Sequence, residues 1–186
     1  MTYDVARIAV LLVVVAASAI CDIRSGRIYN WLTYPAALVG LGLAVGYEGM
    51  EGVWTALLGL AIGFLPMLVA WVVSGTGGGD AKLMAAVGTL ALPEHTLQIL
   101  VYGLIVAATM AVALMIWHGR VWVTLQRVWL AVVAVVWGGQ NRREPIAEAH
   151  ADTIQPRVQL GVAFFLATCW TLVEEAVGTS MWDAAT

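Results

Sequence analysis

Charged residues are scarce in this chain of 186 residues. Lys, Arg, Asp and Glu together make up 11% of it, whereas a soluble globular domain carries about 25%. Apolar residues reach 61%, which is more than a soluble fold of this size can hide from water. Intrinsic disorder is excluded as well, because it requires low hydrophobicity and high charge. The composition therefore predicts an integral membrane protein.

Basic stripes, paired cysteines and metal-ligand spacings are also missing. The net charge is -3 and the few bases form no stripe, which argues against a nucleic-acid partner. Cys21 and Cys169 lie far apart in apolar runs, and the chain has no Cys-x-x-Cys, so we predict neither a disulfide nor a thiolate metal site. The three histidines do not pair at a ligand spacing. We therefore predict no metal ion and no cofactor.

Long uncharged runs occupy residues 28–47, 53–79, 96–117 and 158–173. A helix that crosses the hydrocarbon needs about 20 mostly apolar residues, and only helices satisfy their own backbone hydrogen bonds there unless a barrel closes. The alternating pattern of a barrel strand is absent. We predict an all-α polytopic bundle of about six transmembrane helices, forming one membrane domain over residues 1–186. These helices are predicted at about 5–21, 31–47, 53–73, 80–92, 97–117 and 158–178.

The segment 118–157 interrupts this pattern. Arg120, Thr124 and Arg127 fall at spacings of four and three, on one face of a helix over 121–138, with Trp122 and Trp129 in the apolar remainder. This combination is typical of a helix lying in the membrane interface. A helix that crosses the membrane is the alternative. Residues 139–157 are polar and are predicted to form a solvated cytoplasmic loop.

The orientation follows from the placement of bases between the predicted helices. Arg24 and Arg27 follow the first helix, Glu48 and Glu51 follow the second, and Lys82 follows the third. Because cytoplasmic loops are enriched in Lys and Arg, we predict that the basic loops are cytoplasmic and that both termini lie outside.

Two acids lie at membrane helix ends instead of in solvent loops. Asp22 ends the first predicted helix and Asp80 begins the fourth, so the predicted topology puts both at the cytoplasmic membrane edge. Two carboxylates a few Å apart share one proton, because both cannot ionise cheaply. One can then act as a base toward water and the other as an acid toward a carbonyl oxygen, which is peptide hydrolysis without a covalent intermediate. For each acid alone, helix capping is the open alternative.

Three glycines directly precede the second of these acids. Glycine lets another chain approach the backbone closely, so an extended substrate could pair with this segment like a strand; a plain flexible turn is the alternative. The residues are Gly77, Gly78 and Gly79.

Lys82 and Asn30 are candidates for supporting roles at this site. Lys82 lies two residues after Asp80, about 200° around a helix, and is predicted to point away from the carboxylate. It either extends toward lipid phosphate or meets an acid of the substrate. Asn30 is predicted as the N-cap of the second helix, with a ligand role as the alternative.

Two short motifs resemble a known family. The run GGGDAKL at residues 77–83 resembles the Gly-x-Gly-Asp-x-Lys-Leu motif of type IV prepilin peptidases, membrane aspartic proteases that cut leader peptides from pilin-like precursors. The run DIRSGRIYN at 22–30 resembles the family's first aspartate motif, with Tyr29 where the family has proline. IQP at 154–156, followed by Gly161, is a looser echo of its C-terminal helix. The resemblance covers most of residues 5–117 and, weakly, 154–178.

This resemblance implies a catalytic pair of Asp22 and Asp80 on the cytoplasmic side of a bacterial inner membrane. The implied substrate is a prepilin or pseudopilin with a basic leader and an apolar helix. The chain lacks the Cys-x-x-Cys motifs and the inserted domain of the larger, N-methylating enzymes, so it resembles the short peptidase-only branch of Flp-type (tight adherence) pili. Two other functions stay open: a small transporter in which both acids relay cations or protons, and a non-catalytic pilus or secretion assembly factor.

Overall fold

The computed structural model describes residues 2–74, 78–117, 129 and 159–177. Nearly all of these described residues are helical, and none of them forms a strand. The prediction of an all-α membrane protein is therefore confirmed. The helices are α1 (Thr2–Ser25), α2 (Asn30–Ser74), α3 (Gly79–Leu90), α4 (Pro93–Trp117) and α5 (Leu160–Val177).

The long helix α2 reverses its direction at Gly49. This residue has φ 62° and ψ -137°, a backbone conformation that glycine adopts at little cost. Gly40 and Gly59 both lie against the same turn of α3, next to Thr89 and Gly88. A straight helix would separate these two glycines by about 28 Å, so the two arms of α2 fold back on each other. The sequence predicts two separate helices here, at 31–47 and 53–73, and the structure has two helical arms on either side of the non-helical Gly49.

Four helical segments are long and apolar enough to cross a membrane, so the chain is a multi-pass membrane protein. The second of them contains the reversal at Gly49, and α3, with 12 residues, is not among them. The count of six crossings and the side on which each loop lies stay predictions. The segments are Val5–Ser25, Asn30–Val72, Pro93–Trp117 and Leu160–Val177.

The short helix α3 is the most buried element that the structure describes. Eight of its 12 residues are buried, and both Leu83 and Met84 are fully enclosed. Its closest approach is to the second arm of α2, where a side chain at Gly59 or Gly88 would collide with the backbone of the other. Small residues allow helix backbones to meet closely in this way. The aspartate at the start of α3 is thus carried by a tightly held helix.

The chain groups into two compact units. The first comprises Met1–Ala107 with Gln159–Thr186, and the second comprises Ala108–Val158. Both aspartates and all of α1, α2, α3 and α5 belong to the first. The predicted interfacial helix at 121–138 and the polar loop at 139–157 lie outside the described residues, apart from the exposed Trp129. The prediction of a single domain over 1–186 is not tested by this grouping.

Candidate active site

Asp22 lies near the C-terminal end of α1 and is buried, with 8% of its surface exposed. The backbone N–H of Gly161 donates a hydrogen bond of 2.8 Å to its Oδ2. Gly161 is in the first turn of α5, where backbone N–H groups have no partner inside their own helix. The positive end of the helix dipole also favours a carboxylate at this position. The start of α5 therefore fixes the Asp22 side chain and stabilises its ionised form.

This contact depends on the absence of a side chain at residue 161. A Cβ added to Gly161 would lie 3.0 Å from the Cβ of Asp22, 3.1 Å from its Oδ2 and 3.2 Å from the carbonyl oxygen of Ser18. Such distances are shorter than van der Waals contact permits without movement of the neighbours. A side chain at residue 161 would thus force Asp22 or Ser18 to move by a few tenths of an ångström.

Asp80 is the second residue of α3 and is half-buried. Burial, with the negative charge of Asp22 as the second cause, raises the pKa of Asp80 to about 6. The two carboxylates are therefore within electrostatic reach of each other. The N-cap position of α3 is Gly78, and no side chain caps the helix. Asp80 is therefore not the cap, although it lies in the first turn of α3, where the helix dipole favours a carboxylate.

The two sequence motifs contact each other beside these acids. A Cβ added to Gly79 would lie 3.2 Å from the Cβ of Ile28, so the start of α3 packs on the loop that follows α1. Lys82 Nζ donates a hydrogen bond of 2.9 Å to Asn30 Oδ1 and lies 5.6 Å from the centre of the Tyr34 ring. Lys82 therefore ties the start of α3 to the start of α2.

One sequence expectation changes in this region. Asn30 is itself the first residue of α2 and its side chain bridges to α3, so its prediction as the N-cap that precedes this helix is wrong. Gly78 faces the ring of Trp71, which a Cβ would approach to 3.6 Å, and Gly79 packs as described above. Gly77 lies outside the described residues.

Besides Asp22, Asp80 and Lys82, two arginines lie at this end of the helices: Arg24 in the last turn of α1 and Arg27 in the loop that follows it. Within the part of the chain that the structure describes, no three His, Cys, Asp or Glu residues are grouped so that they could hold a metal ion. Cys21 and Cys169 are both free thiols. The chemistry that this arrangement offers is proton transfer between two acids and a water molecule.

Two acids brought together from separate helices of a membrane protein indicate a functional site. A sequence model of the type IV leader peptidase family matches residues 9–116, more than half of the chain and including both aspartates. The chain belongs to this family and is a membrane peptidase. Searches of curated proteins and of solved structures find no significant match. The matched region ends before α5, so the Gly161 contact lies outside it.

Two structural contacts have only faint signals in the sequence. In the sequence, only a loose match to a family motif points to Gly161, because its partner Asp22 is 139 positions away. The second contact is the hydrogen bond from Arg7 to the carbonyl oxygen of Leu90. In the sequence, Arg7 is only a base at the start of an apolar run. An ionisable residue at membrane depth is usually functional, and this rule is the signal that points to Arg7.

Proposed function

We propose that this chain is an aspartic endopeptidase that removes the leader peptide from Flp-type prepilins or pseudopilins. Asp22 and Asp80 activate a water molecule at the cytoplasmic face of the bacterial inner membrane. The observation that carries this proposal is the electrostatic coupling of two carboxylates, the buried Asp22 of α1 and the half-buried Asp80 of α3. Both lie inside the region that matches a leader peptidase family, and the distribution of bases supports a cytoplasmic site.

The pair holds one proton in its working state. The ionised carboxylate takes a proton from water, and the water oxygen attacks the scissile carbonyl carbon. The other acid gives its proton to the carbonyl oxygen, which produces a neutral tetrahedral diol. The diol then collapses: the carboxylate that gave up its proton takes one back from a diol hydroxyl, the C–N bond breaks, and the leaving nitrogen takes the proton that the other acid received from water. Because the two groups titrate as a unit, neither Asp22 nor Asp80 has a fixed role as base or acid.

The substrate class follows from the surroundings of the pair. The apolar helix of a pilin precursor can lie in the bilayer against the exposed apolar surfaces of the bundle, while its extended leader reaches the carboxylates. Strand-like pairing with that leader would take place at the glycine segment before Asp80, where Gly78 and Gly79 carry no side chain. Lys82 stays engaged with Asn30, next to this segment, where a carboxylate of the precursor could compete for its ammonium group.

Cleavage by the purified protein in detergent tests this function, and its pH dependence tests the shared proton. Because burial and the charge of Asp22 raise the pKa of Asp80 to about 6, the pair keeps its shared proton up to about that pH, and we expect kcat/KM to decrease above it, roughly tenfold per unit. At low pH the second proton binds, the base is lost, and activity also decreases. The measurement is the rate of release of a leader peptide from a purified prepilin across this range, with helicity recorded at each pH.

Three results would contradict this account. A flat pH profile through neutrality would show that no shared proton limits the reaction. A purified protein that binds the precursor and leaves it intact would favour the assembly factor. Ion flux in proteoliposomes that disappears when both aspartates become asparagine, without any peptidase activity, would favour the transporter.

A further inference from the structure

A second polar contact joins α1 and α3 at the end opposite the aspartates. Arg7 is 7% exposed, and its Nε donates a hydrogen bond of 2.7 Å to the carbonyl oxygen of Leu90. Arg7 and Asp22 lie toward opposite ends of α1, and Leu90 and Asp80 lie at opposite ends of α3. The two helices therefore run antiparallel, with an arginine contact at one end and the carboxylate pair at the other.

The carbonyl group of Leu90 needs a partner from outside its helix. Leu90 is the last residue of α3, and the final carbonyls of a helix have no intrahelical donor. The next N–H, from Ala91, bonds to Val87, and Pro93 has no N–H to offer. A cation at a helix C-terminus is also favoured by the helix dipole. The guanidinium group of Arg7 thus donates a hydrogen bond to the last carbonyl of α3 and places a positive charge at the negative end of its helix dipole.

Arg7 also contacts the reversal of α2. Its Nη1 lies 4.0 Å from Oε1 of Glu48, the residue that precedes the reversal at Gly49. Burial of an arginine at membrane depth is costly unless its donors are engaged. Here one side chain links the beginning of α1, the reversal of α2 and the end of α3.

At its closest contact, α3 meets α2 through glycine backbones. Gly59 of α2 meets Gly88 of α3 backbone to backbone, and Gly63 meets the carbonyl of Met84. Glycines allow this close approach but place no side chain between neighbouring turns. Apolar packing holds the buried face of α3, and Arg7 adds a directional polar contact at its C-terminal end.

We propose that Arg7 is a positioning residue that fixes α3 along α1 and thereby sets the separation of Asp22 and Asp80. The catalytic consequence rests on the function proposed above, whereas the positional effect does not. About 15 Å of rigid helix joins Leu90 to Asp80, so an axial shift at one end of α3 is transmitted to the other.

Three substitutions separate the hydrogen bond from charge and volume. In R7Q, the side-chain amide nitrogen is as many bonds from the backbone as Nε of Arg7 is, so it can donate the same hydrogen bond. R7M has a side chain of similar length without a donor. R7N has the same amide group on a side chain that is one methylene shorter. We expect R7Q to keep kcat within about threefold of the original, whereas R7M and R7N lose it roughly 100-fold with little change in KM. The alkaline limb of the pH profile should move to lower pH in R7M, because a more distant Asp22 raises the pKa of Asp80 less.

Cross-linking measures the position of α3 without catalysis. In a C21A/C169A background, the pair I28C/G79C places two thiols where the structure brings a Cβ at residue 79 within 3.2 Å of Ile28 Cβ, compared with about 3.8 Å in disulfides. We expect the oxidation rate to be unchanged by R7Q and clearly slower with R7M and R7N. R24M, at an exposed base near the other end of α1, serves as the matched control and should leave it unchanged.

The outcomes separate this proposal from the proposed function. If folded R7M or R7N cross-links and cleaves like R7Q, Arg7 has no positioning role, whether or not the chain is a peptidase. If R7M does not accumulate in membranes, the comparison of R7N with R7Q alone tests the positioning role of Arg7. If cross-linking depends on Arg7 while the unmodified protein cleaves no precursor, the positioning role stands and the proposed function fails.

Discussion

Replacement of either aspartate by asparagine should abolish leader cleavage while the protein still inserts into the membrane. In D22N and D80N the amide keeps the shape of the carboxyl group but can neither act as a base nor carry the shared proton. Residues that act as a catalytic unit lose nearly all activity when one member is removed, so we expect each variant to be at least about 1,000-fold slower. The measurement is single-turnover cleavage of a co-purified prepilin, with membrane insertion and thermal stability recorded for each variant.

The matched control for these variants is E94Q. Glu94 lies exposed in the first turn of α4, so the same chemical change there should leave cleavage within about twofold of the unmodified rate, as is usual for surface substitutions. Processing at a normal rate by either aspartate variant would remove the carboxylate pair from the mechanism. Loss of cleavage in E94Q together with both variants would instead indicate a general sensitivity of the fold to lost charge.

Substitution of Gly161 by valine should cause the second largest loss of activity. The first added carbon would already lie within 3.2 Å of Asp22 and of the Ser18 carbonyl, so α5 must move away from α1 and its N–H can no longer reach the carboxylate. A displacement of about 1 Å in a catalytic group costs roughly 100-fold in rate. We expect G161V to reach this loss in kcat/KM and G161A to lie between it and the original protein.

A valine at Gly42 is the control for the added volume. A Cβ at this exposed position of α2 meets no atom within 4 Å, so G42V should leave cleavage unchanged. Both variants are to be compared for melting temperature as well as for kcat/KM. Equal activity of G161V and G42V would show that α5 does not hold Asp22 during catalysis.

Much of the fold can be read from the sequence because the membrane restricts the choices. Long uncharged runs identify helices, and α3, α4 and α5 begin and end within a few residues of their predicted bounds. The reversal in α2 is not predicted as such, because Gly49 and its neighbours look like an ordinary loop between two helices. A loop and a tight reversal differ only in backbone angles that glycine permits in both cases.

The candidate site is predictable where its parts are local in sequence and unpredictable where they are distant. Asp22 and Asp80 stand in recognisable motifs, and both lie in the region that matches the family. The hydrogen bond from Gly161 joins residues 139 positions apart, and the bond from Arg7 to Leu90 spans 83. Such contacts depend on how α1, α3 and α5 pack, which the pattern of one helix does not reveal. The hydrogen bond of Lys82 is unpredictable for the same reason, since its partner Asn30 belongs to another helix.

The central claim is that both carboxylates act on one water molecule, and a bound transition-state analogue tests it most directly. In a leader-peptide analogue, a secondary hydroxyl group replaces the scissile carbonyl and occupies the place of that water. A crystal structure of this complex should show the hydroxyl oxygen within about 3.2 Å of one oxygen from Asp22 and one from Asp80. A hydroxyl group that contacts only one of these carboxylates, or neither, would contradict the account.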